Sequence, residues 1–208
     1  MAAILPLGDN AVLVRFADAL SDRANREAIA FAEAIESDPP DGIEEIAPGL
    51  VSVLLRIRPG TDFWRLSGEL RLRHGEMRPN RTAVRTLPII FDGDDLAEVS
   101  GRLRLMPDAF ITRHNSASLR VLATGFAPGF VYCGFHDEGL VLPRREQVRP
   151  SVPAGPVLFA AGQTAIAATP IRTGWHVIGR TTFQNFDPAR DPPTKLRAGD
   201  TIRFTVAA

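Results

Sequence analysis

Three stretches of the chain carry residue types at spacings that could do chemistry. The first is Gly125-Phe126-Ala127-Pro128-Gly129-Phe130-Val131-Tyr132-Cys133-Gly134, where glycines and a proline enclose aromatics at close intervals. Glycine admits positive φ and lets a ligand or a second backbone come close, while proline stiffens the loop. Such a loop can wall a binding site, or it can be a tight barrel corner packed by Phe126 and Phe130. The second stretch holds Pro143-Arg144-Arg145, Arg149, Val152-Pro153-Ala154-Gly155 and Ala160-Ala161-Gly162-Gln163-Thr164. An arginine fork gives paired donors and a glutamine amide both gives and accepts, so the set suits a carboxylate, an amide or a phosphate. The alternative is a solvated basic strand with its glutamine tied to backbone. The third stretch is Gly174-Trp175-His176-Val177-Ile178-Gly179-Arg180-Thr181. In an extended strand, alternation puts His176, Ile178 and Arg180 on one face and Trp175, Val177 and Gly179 on the other. His114 and His176 are the acid–base candidates among the histidines, and nothing in the sequence pairs either with a named carboxylate.

Other chemistries find no support. No Gly-x-x-x-x-Gly-Lys-Ser/Thr loop is present, which removes the usual lysine-bearing phosphate cradle. The one cysteine, Cys133, and histidines at 74, 114, 136 and 176 are too scattered for a metal site, so no metal is expected. There is no Gly-x-Ser-x-Gly elbow, and the sole lysine, Lys195, lies in a proline-rich run, which argues against a serine–lysine amidase. Cys133, in an apolar β-type run, reads as a small buried side chain rather than a nucleophile.

These residues need a scaffold, and the pattern supplies two parts. A strand over 11–16 and a helix over 21–35, capped by Ser21 or Asp22, are followed by a strand pair over 43–46 and 50–57 and a helix from Thr61 to about residue 74. The polar segment 75–85 reads as a linker, giving a small α+β subdomain over 1–81 and a second domain over 82–208. Past it come a strand over 87–91, a helix opened by Asp94 and Asp95, and another starting at Pro107. From residue 117 onward, brief β-type runs (119–123, 131–133, 157–161, 175–178 and 201–206) alternate with turn residues. Many short strands without long intervening helices predict a barrel, which closes on itself and leaves no open edge.

A chain of 208 residues with 45% hydrophobic and 23% charged residues can bury a real core. Its formal net charge of zero gives no bulk field to gather nucleic acid or anionic membrane, so neither is an expected partner. No apolar run approaches a membrane span, and a lone cysteine without an apolar leader predicts a cytoplasmic protein.

Taken together, the residues at 125–134, Pro143-Arg144, Val152-Pro153-Ala154-Gly155, Gly162-Gln163-Thr164, Gly174-Trp175, Ile178-Gly179-Arg180-Thr181 and Phe186-Asp187-Pro188 resemble the family of 5-oxoprolinase B subunits. That family is also labelled KipI-type or allophanate hydrolase subunit 1. Gly8-Asp9 and the strand after Pro48 extend the resemblance to nearly the whole chain. The resemblance implies an α+β N-terminal subdomain followed by a mainly-β cyclophilin-like barrel. It implies work with a KipA-type C subunit, and with an A subunit, in the ATP-dependent opening of 5-oxoproline to glutamate. ATP would be used by the complex and no cofactor bound by this chain alone. A lactam carbonyl is a poor electrophile, and phosphorylation would supply a leaving group. The same architecture resembles the carboxyltransferase part of urea carboxylase, and one branch inhibits a sporulation histidine kinase, so a kinase-inhibitor module and a carboxyltransferase component stand as rivals.

On the leading reading the substrate would lie near Phe126, Pro128, Gly129, Arg145, Gln163, His176 and Arg180. Arg145 and Arg180 would hold carboxylate or phosphate and Gln163 the amide, all converging on one hollow completed by another polypeptide. The chain departs from the family pattern at Ala161, Ala165, Ala167 and Ala168, which stand where glycines, an aromatic and a proline are usual. If backbone approach at 161 and 165 admits a ligand, the added methyls narrow that space.

Overall fold

The computed structural model describes residues 2–73 and 84–207. The chain divides into two compact units, Met1–Pro79 and Asn80–Ala208. The expected boundary between residues 81 and 82 and most of the expected linker lie outside the described residues. Residues 84 and 85, also assigned to that linker, open a strand instead.

The first unit is an antiparallel sheet with two helices. Strands β1 (Ala3–Pro6), β2 (Ala11–Arg15), β3 (Ile43–Pro48) and β4 (Ser52–Ile57) lie in the order β1-β2-β4-β3. Alternation in β2 and β4 turns Val12, Val14, Val53, Leu55 and Ile57 to one face. There they meet Ala28, Phe31 and Ile35 of α1 (Asp22–Ser37) and Leu66 and Leu70 of α2 (Phe63–Leu72). Ser21 caps α1 by accepting the Ala24 N–H at 3.2 Å. Asp62, not Thr61, caps α2, accepting from Trp64 N and Arg65 N, because the Thr61 hydroxyl is turned back to donate to the Arg58 carbonyl. β1 has no counterpart in the sequence reading: it is a four-residue edge strand that ends on a proline.

In the second unit, chain order gives β5 (Val84–Ile89), α3 (Leu96–Arg102), α4 (Pro107–His114), β6 (Leu119–Thr124), β7 (Val131–Gly134), β8 (Arg149–Val152), β9 (Pro156–Ala160), β10 (Gln163–Ile166), β11 (Ile171–Thr173), β12 (His176–Arg180) and β13 (Thr201–Val206). Seven of these strands form one mixed sheet, β12-β9-β10-β7-β6-β13-β5, parallel only between β13 and β5, while β8 and β11 pair separately.

The long sheet curls until its two edges touch. Beyond β5, Ile90 and Arg180 exchange backbone hydrogen bonds at 2.9 Å each, and the Asp95 N–H reaches the Val177 carbonyl at 3.0 Å. Two glycines make this seam passable. A Cβ at Gly179 would stand 2.3 Å from the Ile90 oxygen, and one at Gly93 would stand 2.3 Å from the Val177 oxygen. Inside lie Val121, Val131, Cys133, Phe159, Ile166 and Phe204, closed off by Val99 and Phe110 of the short helices. On the outer face Leu158, Ala160, Ala165 and Ala167 pack beneath Ile171, Trp175 and Phe130. Among the described residues, no helix is long and apolar enough to cross a membrane.

Candidate functional site

The seven residues expected around one hollow lie at two ends of the barrel. Gln163 pairs with Ala160 at the end of β9 and His176 with Phe159 beside it, whereas Arg180 pairs with Pro156 at the start of that strand. Four residues of strand separate these levels by about 13 Å. The loop carrying Phe126, Pro128 and Gly129 enters β7 at Val131, which is level with Ile166 and Val157, and so belongs to the Pro156 end. The expected convergence of Gln163 with Arg180 is thus not formed within this chain.

The alternation expected for residues 176–180 is also broken. A bulge between Val177 and Gly179 inserts one residue. His176 faces inward with Phe159, while Arg180 takes the face of Pro156. His176 is fully buried, its Nε2 lies 3.1 Å from the Pro143 carbonyl and its Nδ1 has no partner. It is a core residue bound to backbone. Arg180 is exposed and its Nε donates to Asp92 at 2.7 Å.

Arg145 is occupied from within. Its Nη1 and the Nη2 of Arg149 both donate to Asp95 Oδ1, each at 2.5 Å, while Asp95 Oδ2 accepts the Val177 N–H at 2.8 Å. Asp95 sits at the N-terminus of α3, where an acid would ordinarily cap, yet its side chain makes no cap bond. The two guanidiniums and the seam amide take its oxygens instead. Gln163 is buried, with Oε1 unpartnered and Cγ placed where a Cβ on Gly134 would touch it.

The 125–134 stretch is both corner and display. Gly125 N–H donates to the Phe130 carbonyl and Phe130 N–H to that of Ala127, closing a tight loop. Gly129 cannot carry a side chain, since its φ is +70° and a Cβ would fall 2.6 Å from Phe186 Cβ and 2.7 Å from Ala168 Cβ. Phe126 is held at φ +75° with 73% of its surface exposed, an unusual conformation for an aromatic residue. Its ring starts an aromatic run, 5.3 Å to Phe130, then 4.7 Å to Tyr132 and 6.0 Å to Trp175, which the Arg144 guanidinium covers at 5.5 Å. Burial raises the Tyr132 phenol above its usual range.

One polar cluster went unread in the sequence. Thr164 Oγ1 lies 2.8 Å from Nε2 of both His114 and His136, and His114 Nδ1 is 2.8 Å from Asn115 Oδ1. With Asn115 accepting, His114 carries its proton on Nδ1, its Nε2 accepts the threonine O–H, and that oxygen accepts the His136 Nε2–H. Phe91, Phe110, Phe159 and Phe204 surround the His114 ring. Burial pushes His114 down to about 4, against the opposing hydrogen bond to Asn115. Burial, then repulsion from His114, pushes His136 down to about 3, opposed by Asp137. Burial likewise raises the Cys133 thiol, which makes it a poor nucleophile. Among the described residues no group of three or more potential metal-ligating side chains occurs.

Two of the departures now have structural reasons. Ala161 and Gly162 are the two residues of the β9–β10 hairpin, at φ +52° and +70°, the paired positive values of a type I′ turn. Ala161 is exposed, so a glycine there serves the turn. Ala165 is fully buried on the outer face, opposite Tyr132 and Leu158, where its methyl is packed.

A closed cyclophilin-like barrel preceded by an α+β unit, with its conspicuous loop turned outward, defines the class of this protein. The chain belongs to the carboxyltransferase domain, subdomain C and D, family, whose model matches residues 2–196. It is 32% identical to the B subunit of 5-oxoprolinase from Bacillus subtilis (strain 168), over 95% of this chain and 90% of that protein. The corresponding B subunit from Haemophilus influenzae is 31% identical over 98% and 97%. The crystal structure of TTHA0988 superposes with a TM-score of 0.85 at 36% identity, over 95% of this chain and 40% of that one, so the chain spans about two fifths of that longer polypeptide. The Kluyveromyces lactis urea carboxylase shares the fold at 17% identity, with a TM-score of 0.71 over 22% of its length.

Proposed function

We propose that this chain is the B-type component of an ATP-dependent 5-oxoprolinase, joining a KipA-like (C-type) chain and an A-type chain to open 5-oxoproline to glutamate in the cytoplasm. The observation that carries this reading is the similarity to 5-oxoprolinase B subunits over nearly the full length of both proteins. Two features of the chain support a shared site over a private one. Its candidate polar groups are divided between barrel ends, with Arg145 held by Asp95 and His176 by Pro143. The Phe126 loop presents an ordered apolar surface outward. In TTHA0988 the matched region is part of a longer chain, which is consistent with a fold that works alongside further polypeptide.

ATP is consumed by the complex, and no cofactor is assigned to this chain alone. The chemical logic is that phosphorylating the lactam oxygen makes the carbonyl carbon attackable by water; the ring C–N bond then breaks, the nitrogen leaving as the amine, and a second water displaces phosphate from the resulting acyl phosphate to give the carboxylate. Enzyme power would come from aligning the partners' nucleotide and lactam sites. The test is reconstitution with A-type and C-type chains. ADP and glutamate should form together only with all chains and 5-oxoproline present. Copurification of a histidine kinase without lactam-stimulated ATP hydrolysis would overturn the reading.

A further inference from the structure

Three segments that are far apart in sequence meet at the seam around a hollow of about 290 Å³. They are 92–94 after β5, 151–156 from the end of β8 to the start of β9, and 177–180 of β12. We propose that this hollow binds a small molecule bearing a carboxylate next to an amide or ammonium N–H, with Arg180 taking the carboxylate and Asp92 the N–H. The proposal rests on the lactam-opening reading for its choice of ligand and deepens it by giving that ligand a place on this chain.

The charges argue for such a ligand. Asp92, Asp94, Arg149 and Arg180 stand around the hollow, two of each sign. Arg149 is tied to the buried Asp95, and its second contact, to Asp94, is long at 3.5 Å. The Arg180–Asp92 pair is different in kind. Both side chains are well exposed, 61% and 44%, and an exposed pair gains little from its own contact. A ligand can therefore part them, each side chain exchanging its partner for the complementary group on the ligand. Pro153 and Pro156 supply rigid apolar wall against which a small ring can lie. The Ile90–Arg180 backbone bridge fixes Arg180 independently of its side chain. The volume suits a ligand at the small end of the usual range. A dicarboxylate would bring a second negative charge against Asp92 and Asp94, so the site should reject it.

The experiment is an NMR titration of the isotopically labelled full chain with 5-oxoproline, and with succinate as a dicarboxylate lacking the N–H. Saturable shifts are expected at the amides of Gly93, Val177 and Gly179, with succinate at least tenfold weaker. Arg180→Gln should weaken 5-oxoproline at least tenfold, and Arg180→Lys less. No saturable shift, equal binding of succinate, or shifts confined to the 125–130 loop would each overturn the proposal. In the reconstituted complex, full lactam-dependent ATP hydrolysis with an unchanged KM in Arg180→Gln would sink this site but leave the proposed function standing. Binding at the seam without any such hydrolysis would do the reverse.

Discussion

The carboxylate of Asp95 accepts the backbone N–H of Val177 at 2.8 Å, joining the start of a short helix to the last strand of the sheet edge it closes. The same carboxylate neutralises Arg145 and Arg149. One side chain thus holds seam and basic segment together.

Asp95→Asn should therefore be costly. It removes the nearest counter-charge of two guanidiniums, leaving Arg145 its longer contact to Glu98 at 3.4 Å and Arg149 its contact to Asp94 at 3.5 Å, and at 23% and 28% exposed they are also partly served by water. We expect a loss of about 2–4 kcal/mol, at or below the cost of stranding a fully buried charge. Urea denaturation would show this as a lowered midpoint at constant slope. A midpoint equal to that of the parent would refute the clasp.

The two core histidines fix a direction of pH dependence. Both are held below the unfolded value of about 6.5, His114 at about 4 and His136 at about 3. In that window the unfolded chain binds protons that the folded chain does not. Stability is accordingly full above about pH 6.5 and falls as pH drops, by up to about 1.4 kcal/mol per pH unit for each histidine. Denaturation midpoints taken at neutral pH and downward should show the decline. His136→Gln should flatten its slope.

Ala161→Gly should stabilise the chain. An L-residue at φ +52° carries a left-handed penalty of about 1–2 kcal/mol, and the extra freedom of glycine in the unfolded chain returns about half of it. A net gain of about 0.5–1 kcal/mol corresponds to a Tm rise of a few degrees. Thermal unfolding reads it directly.

Phe126→Gly separates fold from assembly. The ring is mostly exposed and the backbone is at φ +75°, so the isolated chain should lose little stability or gain some. Affinity for the C-type chain should fall at least tenfold, about 1.4 kcal/mol. Unchanged affinity would free the loop from the interface.

Much of this architecture is readable from local chemistry. Turn residues and β-type runs located β2, β6, β7 and β13 to within a residue or two, because each has a Gly, Pro or Asp at or near an end, residues that weaken a strand and favour a turn. β1 and β10 escaped. β1 is short and ends in proline, and Gln163-Thr164-Ala165-Ile166 shows no polar–apolar alternation because both its faces are covered. The site was harder to read. The bulge after Val177 reverses the face of Arg180, and no residue type in the 176–180 run announces an inserted position. Arg145 looked free because its partner, Asp95, lies 50 residues earlier and had been read only as a helix opener. His136 looked isolated because Thr164, a residue with no charge, is what joins it to His114.

The parallel pairing of β5 with β13 has a consequence for how the barrel comes into being. Val84 lies beside Thr201 and Ile89 beside Val206, so among the described strands the first of this unit pairs in the sheet with the last. Until β13 has emerged from the ribosome, the opening strand lacks its partner and the cylinder stays slit along one side. Such distant pairing makes closure a late and slow event in the making of this unit, and it leaves the nascent barrel in need of protection until β13 is in place.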